Sequence, residues 1–430
     1  MAERLWVVRD GEVIADLDRD ASLRQRLQFR PETVEGSYPG VLISTSLPVR
    51  QAAYDEVMLR PFFEGLLPEG RVREQLATRF HLDPSDVFAF LREFGRDCAG
   101  ALTLVPADTD LTTVDTDDVE WLDDDALAGH ISDLAVRPLA NEPDQGVRMS
   151  LAGTQNKMPV VIRDQLIGRP HGTTPSTHII KPASAERRRA DQDRLLYPSL
   201  VANEAFCMVL ARHAGLNVAP VTVRPIGGEP ALIVERYDRS GSGAGVSRLH
   251  QEDFGQALGI SPLRKYQREG GPGLDRYRTL VRQASVEVIE DEAELLDRVA
   301  FNYVIGDDDA HMKNFSLLYG KASARSTRLA PAYDLLSTFI YPELEKSMAV
   351  AINGMYDSRA LQPVHWRKAF EQLGVSEKLY SERFAALADR ILSALEPARA
   401  QLAGWHIGNG KLDELVRLIA TRSGLLQGLR

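Results

Sequence analysis

The densest group of polar side chains in this sequence is Gly306-Asp307-Asp308-Asp309-Ala310-His311-Met312-Lys313-Asn314-Phe315. Phosphoryl transfer needs a carboxylate that takes the proton of the attacking hydroxyl, an amide oxygen that holds Mg²⁺ and a nearby cation. Asp309, Asn314 and Lys313 are of those types, and the Asp-x4-Asn spacing is typical of a kinase catalytic loop. A helix start with an aspartate at the N-cap explains the same residues. On this segment alone, both interpretations stay open.

A second acidic motif, Ala332-Tyr333-Asp334, follows the first by about twenty residues. A kinase needs an aspartate that holds Mg²⁺ downstream of its catalytic loop. Residues 327–330 have the composition of a short strand that could lead into this aspartate. Because a lone Tyr-Asp pair has no diagnostic value, it is the position after the first motif that favours Asp334 as a metal ligand.

Two features of the first half could contact nucleotide phosphates. Residues 150–157 read Ser-Leu-Ala-Gly-Thr-Gln-Asn-Lys, a loop whose backbone N–H groups could approach phosphates. It is not a Walker A sequence, and an ordinary β-turn is an alternative. Lys181 closes a predicted strand, where a lysine can pair with phosphates, although most such lysines are merely solvated. Loop, lysine, catalytic segment and metal aspartate occur in the order found in kinases.

Composition bounds the class of protein. The 430 residues carry a net charge of −10, with 44% hydrophobic and 26% charged residues, which predicts an ordinary globular chain of two or three lobes. An acidic chain is not expected to bind nucleic acid over a broad face. The two cysteines predict buried thiols in a reducing compartment. We find neither a signal peptide nor an apolar run of about 18 residues, so we expect a cytoplasmic protein.

The periodicity predicts an α+β fold. Residues 5–8 and 13–15 read as a hairpin around Asp10-Gly11, and residues 41–44 as another short strand. Strand patterns recur at residues 158–162, 177–181, 221–223 and 231–234. Helical patterns dominate from residue 251, for example at residues 292–304 and 377–401. The Asp-rich residues 107–126 predict a solvated loop that opens a helix, since the spacing of a calcium loop is missing. We expect three segments: 1–105, 106–240 with the phosphate loop, and the helical 241–430.

Many ordered motifs resemble the HipA family of bacterial toxin kinases. The resemblance covers nearly the whole chain, and the motifs that carry it are residues 44–48, 62–69, 95–101, 150–157, 177–182, 234–239, 249–254, 265–266, 270–273, 309–315 and 333–334. It implies a kinase-like, two-lobed fold with a mixed N-terminal lobe and a mostly helical C-terminal lobe. It also implies a serine/threonine protein kinase that uses ATP and Mg²⁺.

The resemblance assigns roles to individual residues. It implies Asp309 as the catalytic base, with His311 and Lys313 lining the catalytic loop, and Asn314 and Asp334 as Mg²⁺ ligands. The nucleotide-binding residues that it implies are Ala152, Gly153, Thr154, Gln155, Asn156, Lys157, Lys181, Glu235, Arg236, Tyr237, His311, Asn314, Tyr333 and Asp334. Among these, residues 235–237 would form the hinge that reads adenine through its backbone.

The resemblance also implies regulation and partners. Family members phosphorylate an aminoacyl-tRNA synthetase, and they phosphorylate a serine at the edge of their own phosphate loop. That serine matches Ser150, where a phosphate of about −1.5 to −2 charge would repel the phosphates of ATP and switch the enzyme off. The alternative is that Ser150 only caps a turn. Thr154 and Asn156 make this loop more polar than in familiar members, and Thr154 is a second candidate for self-phosphorylation.

The partner implied is a small helix-turn-helix antitoxin that supplies most of the affinity for operator DNA. Two other classes of protein remain as alternatives. One is a corepressor that keeps the fold without catalysis, which the intact Asp309, Asn314, Lys181 and Asp334 argue against. The other is a kinase of small molecules, which would transfer phosphate to a sugar or an aminoglycoside and not to protein.

Overall fold

The computed structural model describes residues 3–114, 117–134, 136–141, 150, 152–153, 155–183, 199–320, 325–407 and 410–430. These residues form two compact units. The first unit draws on residues 1–194, 225–262 and 317–327, and the second on residues 195–224, 263–316 and 328–430. Each unit is therefore assembled from segments that lie far apart in the sequence.

Strands and helices are mixed along the chain, as the predicted α+β class requires. The strands are β1 (Glu3–Arg9), β2 (Glu12–Arg19), β3 (Gln25–Phe29), β4 (Tyr54–Asp55), β5 (Leu102–Pro106), β6 (Val119–Leu122), β7 (Met158–Arg163), β8 (Leu166–Pro170), β9 (His178–Pro182), β10 (Val221–Ile226), β11 (Glu229–Glu235), β12 (Arg239–Ser240), β13 (Ser247–Arg248), β14 (Gln251–Asp253), β15 (Ser316–Leu318), β16 (Arg328–Leu329), β17 (Ser347–Ile352) and β18 (Met355–Asp357).

The helices become longer toward the end of the chain. They are α1 (Pro31–Glu35), α2 (Glu56–Gly65), α3 (Gly70–Phe80), α4 (Val87–Phe94), α5 (Asp124–Asp133), α6 (Leu200–His213), α7 (Phe254–Ala257), α8 (Leu274–Ala284), α9 (Val288–Ile305), α10 (Pro363–Leu373), α11 (Glu377–Gly404) and α12 (Leu412–Gln427). Among the described residues, no helix has both the length and the apolar character that crossing a membrane requires.

An antiparallel sheet of order β4-β3-β2-β1-β5 opens the first unit. The predicted hairpin is confirmed: Asp10 and Gly11 both have positive φ, 52° and 80°, which matches the right-handed twist of the paired strands β1 and β2. Side chains of the sheet such as Leu5 and Leu17 form one buried cluster with Phe62 of α2 and Phe90 of α4. This packing fixes the segment that follows α2.

A second antiparallel sheet of the first unit runs β11-β9-β7-β8-β6. The strands predicted at residues 158–162, 177–181 and 231–234 are confirmed as β7, β9 and β11. Strand β9 lies between β7 and β11, so Lys181 is carried by an interior strand and not by an edge.

Helices dominate the second unit. The long α11 packs against α6 and α12, while α9 packs against α8 and α12. A group of aromatic side chains, Tyr303, Trp366, Phe370 and Phe384, fills the space between these helices with ring centroids 5.2–5.7 Å apart. Because α9 lies within this packing, the position of its C-terminal end is fixed. The polar segment, residues 306–315, starts from this end.

Two predictions about loops have different outcomes. The strand predicted at residues 41–44 is wrong. The Arg9 guanidinium donates hydrogen bonds to the carbonyls of Val41 and Leu42, the latter at 2.7 Å, and these carbonyls pair with no strand among the described residues. The Asp-rich stretch opens helix α5 as expected: Asp123 accepts a hydrogen bond from the N–H of Ala126 at 2.8 Å and so caps the helix.

Candidate functional site

The polar segment begins where helix α9 ends. Gly306 closes the helix in the left-handed conformation, with φ 74°. A Cβ at this position would lie 2.7 Å from Cβ of Phe339 and 2.9 Å from Cδ2 of Leu418, so only glycine fits. The Gly306 carbonyl accepts hydrogen bonds from the N–H groups of Thr338 and Phe339 at 2.9 and 3.0 Å. The direction in which the chain leaves α9 is therefore fixed by packing as well as by the turn.

Asp309 is the exposed carboxylate of this segment, because the flanking Asp307, Asp308, His311 and Lys313 are all buried, with at most 9% exposed. The N-cap alternative for Asp309 is wrong: the next helical turn is a short 3₁₀ turn, Met312–Asn314, and His311 occupies its N-cap. An exposed carboxylate on a rigid, otherwise buried loop is suited to accept a proton from a second molecule.

Asn314 and Asp334 lie together. The Asn314 Nδ2 donates to Asp334 Oδ2 at 3.2 Å, and its Oδ1 accepts from the His311 N–H at 3.1 Å. The Tyr333 hydroxyl donates to the Lys313 carbonyl and contacts Ser316 Oγ, both at 2.7 Å. The second unit thus brings together the predicted His311, Lys313, Asn314, Tyr333 and Asp334 on one loop pair.

Carboxylates concentrate around Asp307. Burial raises the pKa of Asp307 well above its usual range, and the charges of Asp309, Asp334 and Asp308 raise it further. Burial also raises the pKa of Asp308, although Arg422 opposes that rise. Such converging negative charge is a setting in which a cation is favourable.

The residues present fit Mg²⁺. Asn314 and Asp334 supply the amide and carboxylate oxygens that this ion prefers. Over the described ranges, no group of three or more His, Cys, Asp and Glu side chains is arranged to hold a metal. Two protein ligands are a usual number for Mg²⁺ at a phosphate site, because phosphate oxygens and water complete its octahedral shell.

In the first unit the predicted phosphate loop is attached to the segment that follows α2. Gly153, with φ 107°, forms a bridge with Pro68, and its carbonyl accepts from the Glu69 N–H at 3.1 Å. The Lys157 ammonium donates to the Ala152 carbonyl at 2.6 Å, so the loop folds back on itself. Gln155 and Asn156 lie between these points and are half-buried. Thr154 lies outside the described residues.

Ser150 is fully buried at the start of this loop. Its hydroxyl donates to the Leu66 carbonyl at 2.7 Å, and its N–H donates to the Asp97 carbonyl at 3.1 Å. The same Asp97 carries a buried carboxylate that accepts from Arg239 at 2.9 Å and from Ser176 Oγ at 2.6 Å. Sequence reasoning missed Asp97, whose only signal was its place inside the motif at residues 95–101.

Lys181 is buried, with 7% exposed, so the solvated alternative for this lysine is wrong. It stands opposite Leu232 in the pairing of β9 with β11, the strand that ends at the exposed Glu235. The Arg236 N–H donates to the Thr177 carbonyl at 2.9 Å. Strand pairing thus places the predicted hinge next to the strand of Lys181.

Two side chains of the predicted hinge make contacts within the first unit. The buried Arg236 guanidinium pairs with Asp238 at 2.8 Å and lies 3.6 Å from Asp97, while Tyr237 donates its hydroxyl hydrogen bond to Gln251. These contacts engage the side chains of Arg236 and Tyr237 within the protein. That residues 235–237 read adenine through their backbone stays a prediction.

Comparisons with known proteins agree with this arrangement. The model of the HipA N-terminal domain matches residues 5–105, and that of the HipA-like C-terminal domain matches residues 149–395. A Sinorhizobium fredii protein named "Putative kinase Y4mE" is 36% identical over 90% of this chain and 89% of its own length. The "Serine/threonine-protein kinase toxin HipA" of Shewanella oneidensis is 30% identical over 78% of this chain and 76% of its own.

The solved structures give the same answer for the fold. Shewanella oneidensis HipA, in a complex with HipB and its operator DNA, superposes with a TM-score of 0.80 and 25% identity, over 99% of this chain and 96% of that one. The predicted kinase-like α+β fold is therefore confirmed. Domain models that cover most of the sequence, and relatives at 30–36% identity over most of its length, lead to one conclusion. This chain belongs to the HipA family of serine/threonine-protein kinase toxins.

Proposed function

We propose that this protein transfers the γ-phosphoryl group of ATP to serine or threonine hydroxyls of proteins, with Mg²⁺, as the toxin of a toxin–antitoxin pair. The observation that carries the proposal is the exposed Asp309 on a buried loop that also holds Asn314 against Asp334 at 3.2 Å. This is the set of groups that phosphoryl transfer requires from the protein, at the spacing of a catalytic loop.

In the proposed reaction Asp309 accepts the proton as the acceptor O–H bond breaks. The acceptor oxygen forms a bond to the γ-phosphorus, and the bond from that phosphorus to the bridging oxygen breaks to release ADP. Asn314 and Asp334 would hold Mg²⁺, which when bound neutralises charge on the phosphate oxygens. Lys313 and His311, both buried beside these residues, would keep the loop in its place, and the Lys313 ammonium would offset negative charge.

Roles in nucleotide binding are proposed for the first unit. Residues 152–157 would present backbone N–H groups to phosphates, and Lys181 would pair with them. Support comes from the attachment of Gly153 to Glu69, which holds this loop at a defined place, and from the burial of Lys181 on an interior strand. The backbone at residues 235–237 would read adenine. We also propose that the chain is divided into the three functional segments 1–105, 106–240 and 241–430.

Self-phosphorylation at Ser150 is proposed as the off switch. The Ser150 hydroxyl is buried and bonded to the Leu66 carbonyl, so the loop must leave this position before the hydroxyl can act as an acceptor. Once phosphorylated, the side chain could not return, because two negative charges would have to enter a site without exposure to water. The loop would then stay outside its present place.

Partners are proposed from chemistry and from the relatives. The Shewanella HipA structure contains HipB and operator DNA, and a related antitoxin is proposed for this chain. An acidic chain with net charge −10 would contact DNA mainly through such a partner. An aminoacyl-tRNA synthetase is the proposed protein substrate.

The test is the intact mass of the protein after incubation with ATP and Mg²⁺, for wild type, Asp309→Asn and Ser150→Ala. We expect a phosphate-sized gain in wild type, none in D309N, and loss of the Ser150 phosphopeptide in S150A. Asp125→Asn, which changes an exposed aspartate at the start of α5, is the matched control and should gain as wild type does. Equal gains in wild type and D309N would refute the assignment of the base.

A further inference from the structure

A tyrosine outside the catalytic segment contacts the proposed base. The Tyr266 hydroxyl donates a hydrogen bond to Asp309 Oδ1 at 2.7 Å. The Tyr266 ring also meets the His311 ring edge to face, with centroids 5.5 Å apart. Both partners belong to the second unit, although 43 positions separate Tyr266 from Asp309 in the sequence. A charge-assisted bond of this length is among the stronger kinds of hydrogen bond.

The backbone of Tyr266 is held by a tight turn. Its carbonyl accepts hydrogen bonds from the N–H groups of Glu269 and Gly271, both at 3.0 Å. A Cβ on Gly271 would lie 2.5 Å from the Arg264 carbonyl oxygen and 2.8 Å from that of Tyr266, so no other residue fits there. The turn therefore presents Tyr266 in one defined place.

One strand anchors both the turn and the catalytic segment. In β17, the Ala349 N–H donates to the Asp308 carbonyl at 2.8 Å, and the Ala351 N–H donates to Gln267 Oε1 at 2.8 Å. Asp308 precedes Asp309, and Gln267 follows Tyr266. The two residues in contact are thus fixed relative to each other by anchors that do not depend on their own hydrogen bond.

We propose that Tyr266 is a positioning residue for phosphoryl transfer, which holds Asp309 through Oδ1 and leaves Oδ2 to take the proton of the acceptor. The proposal rests on the proposed function. In the part of the chain that the structure describes, Oδ2 has no hydrogen-bond partner. An exposed aspartate would otherwise turn about its side-chain torsions, and a small misplacement of a reacting group can cost about 100-fold in rate.

The test compares Tyr266→Phe with wild type in steady-state transfer from ATP. We expect kcat to fall about 10- to 100-fold while KM for ATP changes less than about twofold, because the lost contact acts only on the reacting group. Tyr356→Phe is the matched control, since it removes a hydroxyl from the same unit. Tyr356 lies against the Arg268 guanidinium, 4.2 Å from its ring centroid, and not against Asp309.

The outcomes separate this proposal from the proposed function. If D309N is inactive and Y266F has the kcat of wild type, the positioning role is wrong and the kinase assignment stands. A rise in KM for ATP with unchanged kcat also overturns it, because that is the signature of a binding role. If D309N turns over at the wild-type rate, then neither the role of Asp309 as the base nor the positioning role of Tyr266 is correct.

A structural measurement tests the same point without turnover. In a crystal structure of Y266F we expect the Asp309 carboxylate to occupy more than one orientation. A single, unchanged orientation of Asp309 would contradict the proposal, even for a preparation that shows no kinase activity. A thermal unfolding midpoint close to that of wild type would show that the fold is intact in the variant.

Discussion

The backbone of Asp334 adopts an unfavourable conformation. Its φ of 58° lies in the left-handed region, which costs a residue with a side chain about 1 kcal/mol. That conformation accompanies the contact of its carboxylate with the Asn314 amide at 3.2 Å. Strain of this kind persists only where the surroundings enforce it, and it is common at functional sites. The pair is therefore the natural place to test for Mg²⁺.

Asn314→Ala removes the amide of this pair. We expect the Mg²⁺ concentration that gives half-maximal transfer to rise about tenfold or more, since one proposed ligand is lost. The measurement is a Mg²⁺ titration of ADP formation. Gln372→Ala, which removes an exposed amide from the same unit, should leave the titration unchanged. A wild-type titration curve for N314A would rule out Asn314 as a ligand.

The residue scale also shows what spacing can and cannot predict. Asp309 and Asn314 could be proposed from the sequence because a kinase catalytic loop has an aspartate and an asparagine at this fixed spacing. Tyr266 was noticed only as part of a motif, since its contact with Asp309 bridges 43 positions and depends on the turn at Gly271 and on strand β17. Such tertiary contacts leave no local pattern in a single sequence.

At the scale of elements, the end of α9 decides where the proposed catalytic segment, residues 306–315, lies. Gly306 meets two demands there: a positive φ and the close approach of Phe339 and Leu418. Gly374 closes α10 in the same conformation, with φ 63°, but no atom of the described residues outside its own helix turn lies within 4 Å of the place where a Cβ would stand. An alanine at position 374 would therefore meet backbone strain alone, while an alanine at position 306 would meet backbone strain and a steric clash.

Gly374→Ala should lower the free energy of unfolding by about 1 kcal/mol, the cost of the left-handed conformation alone. Gly306→Ala should cost about 1–3 kcal/mol more, because the added methyl group overpacks the contact with Phe339. It should also reduce phosphoryl transfer, while G374A should not. Chemical denaturation with an activity assay measures both. Equal losses of stability in the two variants would contradict the steric part of the argument.

A second decisive feature is a buried ion network, which joins the predicted hinge to the start of the predicted phosphate loop. Burial raises the pKa of the Asp97 carboxyl, but the charges of Arg239, Arg236 and Arg248 outweigh burial, so its pKa is lowered. A carboxyl with a lowered pKa in the folded state stabilises the fold above its unfolded pKa of about 3.9. This stability is lost as the pH falls through the folded pKa.

Asp97→Asn should therefore destabilise the protein by about 3–5 kcal/mol at pH 7, because three arginines lose a buried partner. Below about pH 4 the difference from wild type should shrink, because the unfolded wild-type chain then takes up a proton at Asp97 before the folded protein does. Denaturation series at several pH values measure this, with the exposed Asp125→Asn as control. A gap that stays constant down to acid pH would mean that the charge of Asp97 contributes nothing.

Helices and strands were predictable from the sequence where the periodic pattern of apolar residues extends over many residues. The hairpin, the strands at 158–162 and 231–234 and helices such as α9 and α11 follow directly from the pattern of apolar residues. At residues 41–44 the pattern predicts the wrong structure. This short apolar run is buried as a loop, because the Arg9 side chain donates hydrogen bonds to two of its carbonyls. A sequence does not reveal which distant side chain will do so.

At the scale of the whole molecule, the net charge of −10 constrains its partners. Attraction to DNA phosphates comes from lysine and arginine, and an acidic chain must repel DNA over most of its surface. The proposed antitoxin would have to supply the positive charge. Binding of DNA only together with an antitoxin would distinguish a tethered toxin kinase from a protein that binds DNA by itself.

In a mobility-shift assay at physiological salt, the purified chain should leave operator DNA unshifted, and a mixture with its antitoxin should shift it further than the antitoxin alone. D309N should behave as wild type in this assay, because catalysis is not needed for assembly. A shift of the DNA by the chain alone would contradict the argument from charge.

The most direct test of the kinase assignment is Mg²⁺-dependent ADP formation by wild type and by Asp309→Asn, with ATP binding measured by calorimetry on the same samples. We expect both proteins to bind ATP with similar affinity and turnover in D309N to fall by a factor of about 100 or more, the order of magnitude for loss of a general base. ATP binding with equal turnover in the two proteins would contradict it, because the exposed carboxylate at position 309 would then have no part in the transfer.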